Sequence, residues 1–116
     1  MRSSIPRVAL LLAVLLKRSG KTRVRVSEKT YRLISDRTVL RDAFLVDVRR
    51  ELEDLGVLCV RLERGGFALI AISALEGAPS ATARNLLPNR RALSDDDLWD
   101  ELGMSGDDQE ENDDQV

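Results

Sequence analysis

The sequence predicts a small α+β domain followed by a disordered acidic tail. Three observations support this prediction. Apolar residues recur at helical spacing in two stretches, two short segments alternate apolar and polar residues as strands do, and every Lys and Arg precedes residue 94. The chain has 116 residues, of which 43% are hydrophobic, and most of these precede residue 77, so one small core can form there.

The first element is a helix from Ile5 to about Lys17. It is apolar almost all the way round, which predicts burial on more than one side. The apolar run Val8–Leu16 after two arginines resembles a signal peptide, but Lys17 and Arg18 follow it at once. The run is also shorter than the ~20 residues that span a bilayer. We therefore expect a buried helix, no membrane association and a cytoplasmic location.

A short strand and a second helix come next. Residues 21–27 alternate, and Val24 and Val26 form the apolar face of a half-buried strand. Ser27 is a good N-cap for a helix over residues 28–35, because its hydroxyl oxygen accepts a hydrogen bond from a free N–H of the first turn. Residues 36–38 are predicted to form a turn.

The third helix is predicted from about Val39 to Leu55. Its apolar face repeats at helical spacing, and Gly56 ends it, as glycine commonly does. That face comprises Phe44, Leu45, Val48, Leu52 and Leu55.

A hairpin closes the predicted domain. Residues 57–64 alternate as a strand, and Gly65-Gly66 predicts a tight two-residue turn. The return strand, residues 67–73, is apolar on both faces, so we expect it to be central and covered on both sides. The predicted domain therefore covers residues 1–76.

The rest of the chain lacks the periodicity of a core. Residues 77–93 are rich in Ala, Pro and Ser and are predicted to be a linker. Residues 94–116 form an acidic tail, whose first part, residues 94–104, is a short amphipathic helix with Ser94 as its cap. The last twelve residues are low-complexity acidic sequence and are expected to be disordered.

The order helix, strand, helix, helix, strand, hairpin, strand resembles a winged-helix domain. The resemblance covers about residues 5–73 and is best seen over residues 48–70. There the third helix ends with Arg50, Leu52, Leu55 and Gly56 and leads directly into the hairpin, as in many bacterial winged-helix transcriptional regulators. The leucines would seat the helix on the core, and the glycine would let the chain reverse into a strand.

The resemblance implies double-stranded DNA as a partner. In that superfamily the third helix enters the major groove and the wing touches the backbone or the minor groove. Transferred by position, the candidate DNA-binding residues are Arg41, Arg49 and Arg50 on the helix and Arg64 at the wing. Asp42 and Asp47 on the same helix would repel phosphate.

Positive charge concentrates around the first strand. Residues 17–37 hold eight Lys/Arg against two Asp/Glu, and Lys21, Arg23 and Arg25 are further candidates for phosphate contact. The competing interpretation is a solvated polar surface. Over longer ranges, residues 1–93 carry 18 Lys/Arg and 9 Asp/Glu, a net charge of +9, whereas residues 94–116 carry 11 Asp/Glu and no cation.

The composition gives no sign of an enzyme. The chain has no His and only one Cys, Cys59, so the usual general base and a thiolate zinc site are missing. Residues 20–22 read Gly-Lys-Thr, but Leu15 stands where a phosphate-binding loop has its first glycine. We expect no catalytic residue, no metal and no cofactor.

The acidic segment has an apolar edge that is suited to docking. Leu98, Trp99, Leu102 and Met104 lie among acidic residues, a pattern typical of helices that bind a groove on a partner. Alternatively, the segment covers the outer face of residues 67–73, or it is simply exposed.

Two functional hypotheses follow. The first is a small prokaryotic or phage DNA-binding regulator that forms a homodimer and whose acidic tail modulates binding or engages a protein partner. The alternative is a non-enzymatic winged-helix protein-interaction subunit of a larger complex: an adaptor, a DNA mimic or an antitoxin-like inhibitor. The acidic residues of the third helix favour the alternative.

Overall fold

The structure, a computed structural model, describes residues 2–103. Its element order is α1 (Ile5–Ser19), β1 (Arg23–Val26), α2 (Glu28–Ser35), α3 (Asp42–Asp54), β2 (Val57–Arg61), β3 (Phe67–Ala71), α4 (Ile72–Glu76), α5 (Ala83–Leu86), a 3-10 turn (Arg90–Ala92) and α6 (Asp95–Glu101). The predicted α+β class is confirmed. The chain divides after Ala78 into two compact units, and residues 79–103 of the second form short helices and connecting segments.

Local hydrogen bonds set the starts of the first two helices. The Ser4 hydroxyl accepts from the Arg7 N–H at 3.3 Å, and the Ser27 hydroxyl accepts from the Thr30 N–H at 3.1 Å, so the predicted cap at Ser27 is confirmed. Helix α1 runs to Ser19, two residues further than predicted, and ends where Gly20 adopts a φ of 71°.

The three strands form one antiparallel sheet in the order β1-β3-β2. Val24 pairs with Leu69 and Cys59 pairs with Leu69 from the other side, which places these three side chains on one face of the sheet. The prediction that β3 is central is confirmed. Its other face is not fully covered, because Ala68 and Ile70 point away from the core and stay half-buried.

The core lies between the inner sheet face and the helices, and α1 packs most extensively on α3. The Tyr31 ring lies 4.6 Å from that of Phe67 and 6.2 Å from that of Phe44. The buried hydrophobic residues are Val8, Ala9, Leu12, Leu16, Val26, Tyr31, Phe44, Val48, Leu52, Val57, Cys59, Phe67 and Leu69. All of them lie between Val8 and Leu69, so the N-terminal unit contains its own complete core.

Helix α1 is buried less fully than its composition predicts. It contacts α2, α3, β1 and β3. However, Leu10 and Val14 remain 53% and 41% exposed. The helix therefore presents an apolar strip to solvent within the N-terminal unit.

Two predicted boundaries of the hairpin and one of α3 are wrong. Helix α3 begins at Asp42 rather than Val39, because Arg41 is extended, with φ −80° and ψ 146°. Strand β2 ends at Arg61, and the turn is longer than the two-residue turn predicted at Gly65-Gly66. The Leu62 N–H donates to the Gly66 carbonyl at 2.9 Å and the Gly65 N–H donates to the Leu62 carbonyl at 3.1 Å, which closes the turn around three intervening residues.

Strand β3 ends at Ala71, not at residue 73. Ile70 pairs with Arg23, the first residue of β1, and Ala71 pairs with Val57, the first residue of β2. Beyond this row neither neighbouring strand offers another ladder residue. The chain continues as helix α4 instead, beginning at Ile72, whose N–H donates to the Gly56 carbonyl at 2.9 Å.

The second unit contains the segment predicted to be a linker and the start of the acidic tail. Its described residues are largely exposed, and the predicted linker includes α5 and the 3-10 turn. Helix α6 occupies Asp95–Glu101. Met104 and the predicted disordered end of the tail lie outside the described residues. Within residues 2–103, no helix has the length and apolar character to cross a membrane.

Candidate nucleic-acid interface

A cleft between β1 and the β2–β3 turn brings two of the predicted cations together. Arg25 and Arg64 line it with Ser27, Glu28, Gly65 and Gly66. Arg25 reaches the cleft from the exposed side of β1, and Arg64 reaches it from the turn. Two guanidinium groups on one cleft form a site that an anion such as phosphate can occupy.

Gly66 allows the turn to approach β1 closely enough to form this cleft. Its φ is 84°, and a Cβ atom built on it would lie 2.9 Å from the Val26 carbonyl oxygen. A side chain here would push the turn away from the strand. The glycine pair therefore matters for the position of Arg64 as well as for the reversal of the chain.

A second concavity of about 150 Å³ lies between α3 and β2. Its lining combines apolar residues with Asp42, Arg49 and Arg61. Cys59 is also there, and burial raises the pKa of its thiol to about 11, with the positive charge of Arg49 opposing that shift. The side chain is buried in the hydrophobic core, where Cys59 packs against its neighbours.

Arg61 links the two concavities and was not among the predicted site residues. Its guanidinium lies 3.2 Å from the Asp42 carboxylate and 3.8 Å from that of Glu28, and Glu28 lines the first cleft. The alternation of residues 57–64 puts Leu58, Val60 and Leu62 on one face and Cys59 and Arg61 on the other. It does not indicate which face is buried; the structure buries Val57 and Cys59 while Val60 stays 41% exposed, so Arg61 lies at the edge of the core near α2 and α3.

The ion pair of Arg61 changes the charge at the start of α3. Asp42 was expected to repel phosphate, but in the structure a cation neutralises it in part. Its side chain is 92% exposed, so the pair is weak. Asp47 has no cation within ion-pair distance in the described residues, and it remains an unfavourable charge for a bound phosphate.

The predicted cations of α3 are exposed. Arg41 precedes the first turn, and Arg49 and Arg50 follow one another on the exposed side of the helix. Within residues 2–103, no carboxylate lies within 4.0 Å of the charged nitrogens of the seven predicted cations. These cations are Lys21, Arg23, Arg25, Arg41, Arg49, Arg50 and Arg64.

Several cations of residues 17–37 lie outside the Arg25–Arg64 cleft. Lys21 lines a groove beside α1 rather than the cleft of Arg25. The guanidinium of Arg37 lies 3.8 Å from the centre of the Phe44 ring, a cation–π contact with a structural role. Arg32 forms an ion pair with Glu28 at 3.8 Å. Arg23 is on the same face of β1 as Arg25, as predicted from the alternation.

Of the predicted docking residues, Leu98 and Trp99 lie on helix α6 and Leu102 is its C-cap. Leu98 and Leu102 are exposed, Trp99 is half-buried, and Met104 lies outside the described residues. A capping box fixes the start of the helix: the Ser94 N–H donates to the Asp97 carboxylate at 2.9 Å, and the Asp97 N–H donates to the Ser94 hydroxyl at 3.1 Å. The hydrogen bonds that the Asp97 carboxylate accepts from the Ser94 backbone N–H and side chain lower the pKa of Asp97 below its usual value.

Among residues 2–103, no three His, Cys, Asp or Glu side chains come together as a metal site. Comparison with protein-family models, with curated proteins and with solved structures gives no match.

Proposed function

We propose that the chain is a small non-enzymatic DNA-binding regulator with a winged-helix body. The observation that carries the proposal is the Arg25–Arg64 cleft, where two cations without ion-pair partners among the described residues meet on one surface. The helix and strand order, with β3 between β1 and β2, supports the winged-helix assignment. In this proposal the β2–β3 turn is the wing and α3 is the helix that faces the duplex.

The cations would contact the phosphate backbone at several points. Arg25 and Arg64 would hold one phosphate at the wing, while Arg49 and Arg50 would approach the groove from α3. Residues 1–78 carry 15 Lys/Arg against 9 Asp/Glu, a net charge of +6, so long-range attraction to DNA is favourable. The exposed side of α3 offers no Asn, Gln or Ser, so backbone contacts would dominate over the reading of base edges.

Fluorescence anisotropy with a generic duplex over a salt series tests the proposal. The protein is a truncated chain of residues 1–93, which retains every residue of the core. We expect tight binding at low salt with a steep salt dependence. The double substitution Arg25→Ala with Arg64→Ala should lower the slope of log K against log salt by about two.

A matched control separates location from total charge. Arg84→Ala with Arg90→Ala removes the same charge from exposed positions of the second unit. We expect this variant to keep the slope of the unsubstituted protein. If both double variants lose the same slope, the attraction is diffuse and the Arg25–Arg64 cleft is not a phosphate site.

The acidic tail would act as an electrostatic brake on this binding. Residues 94–116 carry eleven acidic residues and no cation, so they compete with DNA phosphate for the basic surface. The full chain should therefore bind the duplex more weakly than residues 1–93 at low salt, and the difference should shrink as salt rises. Equal or tighter binding by the full chain would contradict the brake.

A second candidate function is a protein-interaction subunit that binds no DNA. The observation that favours it is the presence of Asp42 and Asp47 on α3, of which Asp47 has no cation within ion-pair distance in the described residues. The same anisotropy series distinguishes the two candidates. Absence of binding by residues 1–93 at low salt, despite their net charge of +9, would favour the protein-interaction subunit.

A further inference from the structure

An apolar groove runs beside α1, apart from the Arg25–Arg64 cleft. One wall is formed by Leu10 and Val14 of α1, and the other by Leu55 and Val57 at the junction between α3 and β2. Leu10, Val14 and Leu55 are 53%, 41% and 44% exposed. Three large apolar side chains that share one groove and face water indicate an interaction surface rather than scattered surface residues.

Positive charge borders this groove. Lys17 and Lys21 line it at the C-terminal end of α1, and no carboxylate side chain contributes to its lining. A purely apolar ligand would form no ion pair with the ammonium groups of Lys17 and Lys21. The groove is therefore matched to a ligand that combines apolar side chains with negative charge.

Helix α6 has this combination of properties. The segment from Ser94 to Gly103 holds five acidic residues and no cation. Leu98 and Leu102 are exposed and lie four residues apart, so they project from one side of the helix. Leu10 and Val14 are also four residues apart, so the two apolar pairs have the same spacing along their helices.

We propose that this groove binds the acidic helix Asp95–Glu101 of a second copy of the chain, so that two copies exchange their helices reciprocally. A helix of seven residues is only about 10 Å long and buries little area by itself. Reciprocal exchange forms the same contact twice in one two-fold dimer and fills both grooves. This contact is independent of DNA binding, and experiments separate from the anisotropy series test it.

Trp99 makes the contact measurable in the full-length protein, because it is the only tryptophan of the chain. Sedimentation equilibrium gives the dimer dissociation constant, and acrylamide quenching of Trp99 over the same concentrations reports whether α6 is covered. We expect quenching to fall as the dimer forms. We also expect salt to weaken the dimer, since the contact joins lysines to carboxylates.

The groove is tested by Leu10→Glu with Val14→Glu. Both side chains are partly exposed, so the fold should survive, and far-UV circular dichroism checks this. The dimer dissociation constant should rise by about tenfold or more, because a buried contact receives two carboxylates facing an acidic helix. The matched control is Leu33→Glu with Val39→Glu, at positions 75% and 61% exposed outside the groove, and it should leave the dimer unchanged.

A mixing experiment distinguishes exchange from other arrangements. The groove variant and a helix variant, Leu98→Glu with Leu102→Glu, should each dimerise poorly. Mixed together, they can form a heterodimer in which one of the two reciprocal contacts is intact, so the mixture should dimerise more tightly than either variant alone and less tightly than the unsubstituted protein, with partial protection of the Trp99 of the groove variant. A mixture that dimerises no more tightly than the separate variants would overturn the proposal.

Two further results would also overturn it. Protection of Trp99 that does not change with protein concentration would mean that no second copy is needed. A dimer that the groove variant leaves intact would place the interface elsewhere on the chain.

Discussion

Substitution of Gly66 by alanine should destabilise the protein more than the same change at its neighbour Gly65. Both glycines have positive φ, 84° and 98° respectively, so alanine at either position pays the cost of the left-handed region, about 1–2 kcal/mol. Only at Gly66 would the new methyl group meet backbone, 2.9 Å from the Val26 carbonyl oxygen. Gly65 has nothing within 4 Å of the position of a Cβ.

The close contact adds a second cost at Gly66. Relief requires the turn to move away from β1, and forced shifts of this kind cost roughly 1–3 kcal/mol. We therefore expect Gly66→Ala to lower the free energy of unfolding by about 2–5 kcal/mol and Gly65→Ala by about 1–2 kcal/mol. The comparison isolates the approach of the turn to the strand.

Urea unfolding followed by far-UV circular dichroism measures both variants. With a denaturant slope near 1 kcal/mol/M, as expected for a small domain, the midpoint of Gly66→Ala should lie about 1 M or more below that of Gly65→Ala. Equal midpoints would refute the reasoning, because the two substitutions would then share only the conformational cost. A changed slope would point to an altered unfolded state instead.

Four further outcomes are expected. At neutral pH, Cys59 should react with a disulfide reagent only as fast as the protein unfolds locally, because burial makes the sulfur inaccessible and raises the pKa of the thiol to about 11. A reaction rate near that of a free thiol would contradict this. Burial raises the pKa of Tyr31 above its ordinary value of 10.0, so the stabilisation linked to the protonated hydroxyl is complete below pH 10 and is lost as pH rises further. Tyr31→Phe should therefore reduce the loss of unfolding free energy above pH 10. An unchanged dependence on pH would argue that Tyr31 is not its cause. Leu52→Ala should cost about 2–5 kcal/mol in urea unfolding because the side chain is fully buried, and a cost below about 1 kcal/mol would place it outside the core. The hydrogen bonds from Ser94 lower the pKa of Asp97, so that carboxylate supports α6 above its ordinary pKa of 3.8 and the support is lost as pH falls through the lower folded value. An NMR titration of the full-length protein should place the Asp97 midpoint below 3.8, and a midpoint at or above 3.8 would contradict this role of Ser94.

The sequence was most informative where structure depends on neighbouring residues. The cap at Ser27 and the alternation in β1 are local features, and the structure confirms both. The strand end at Ala71 and the turn before Gly66 depend instead on pairing between distant segments. No pattern within residues 57–73 shows where β3 runs out of pairing partners on β1 and β2, so the predicted boundaries there were wrong.

The geometry of the candidate site also depends in part on local sequence patterns and in part on pairing between distant segments. The common face of Arg23 and Arg25 follows from alternation alone. The approach of Arg64 to Arg25 depends on the register in which Val26 pairs with Phe67, 41 residues later in the chain. The role of Arg61 depends on three elements meeting at one point, which single-sequence patterns do not specify.

The central position of β3 also sets the order in which the protein can assemble during synthesis. Strand β1 is made early, yet its ladder partner is the last strand of the sheet to leave the ribosome. Until Phe67–Ala71 emerge, β1 has no strand to pair with. It is only four residues long and carries two outward arginines, and both properties disfavour pairing with other chains. The helices can form while the chain is still growing, but the sheet closes in a late step that joins segments more than forty residues apart.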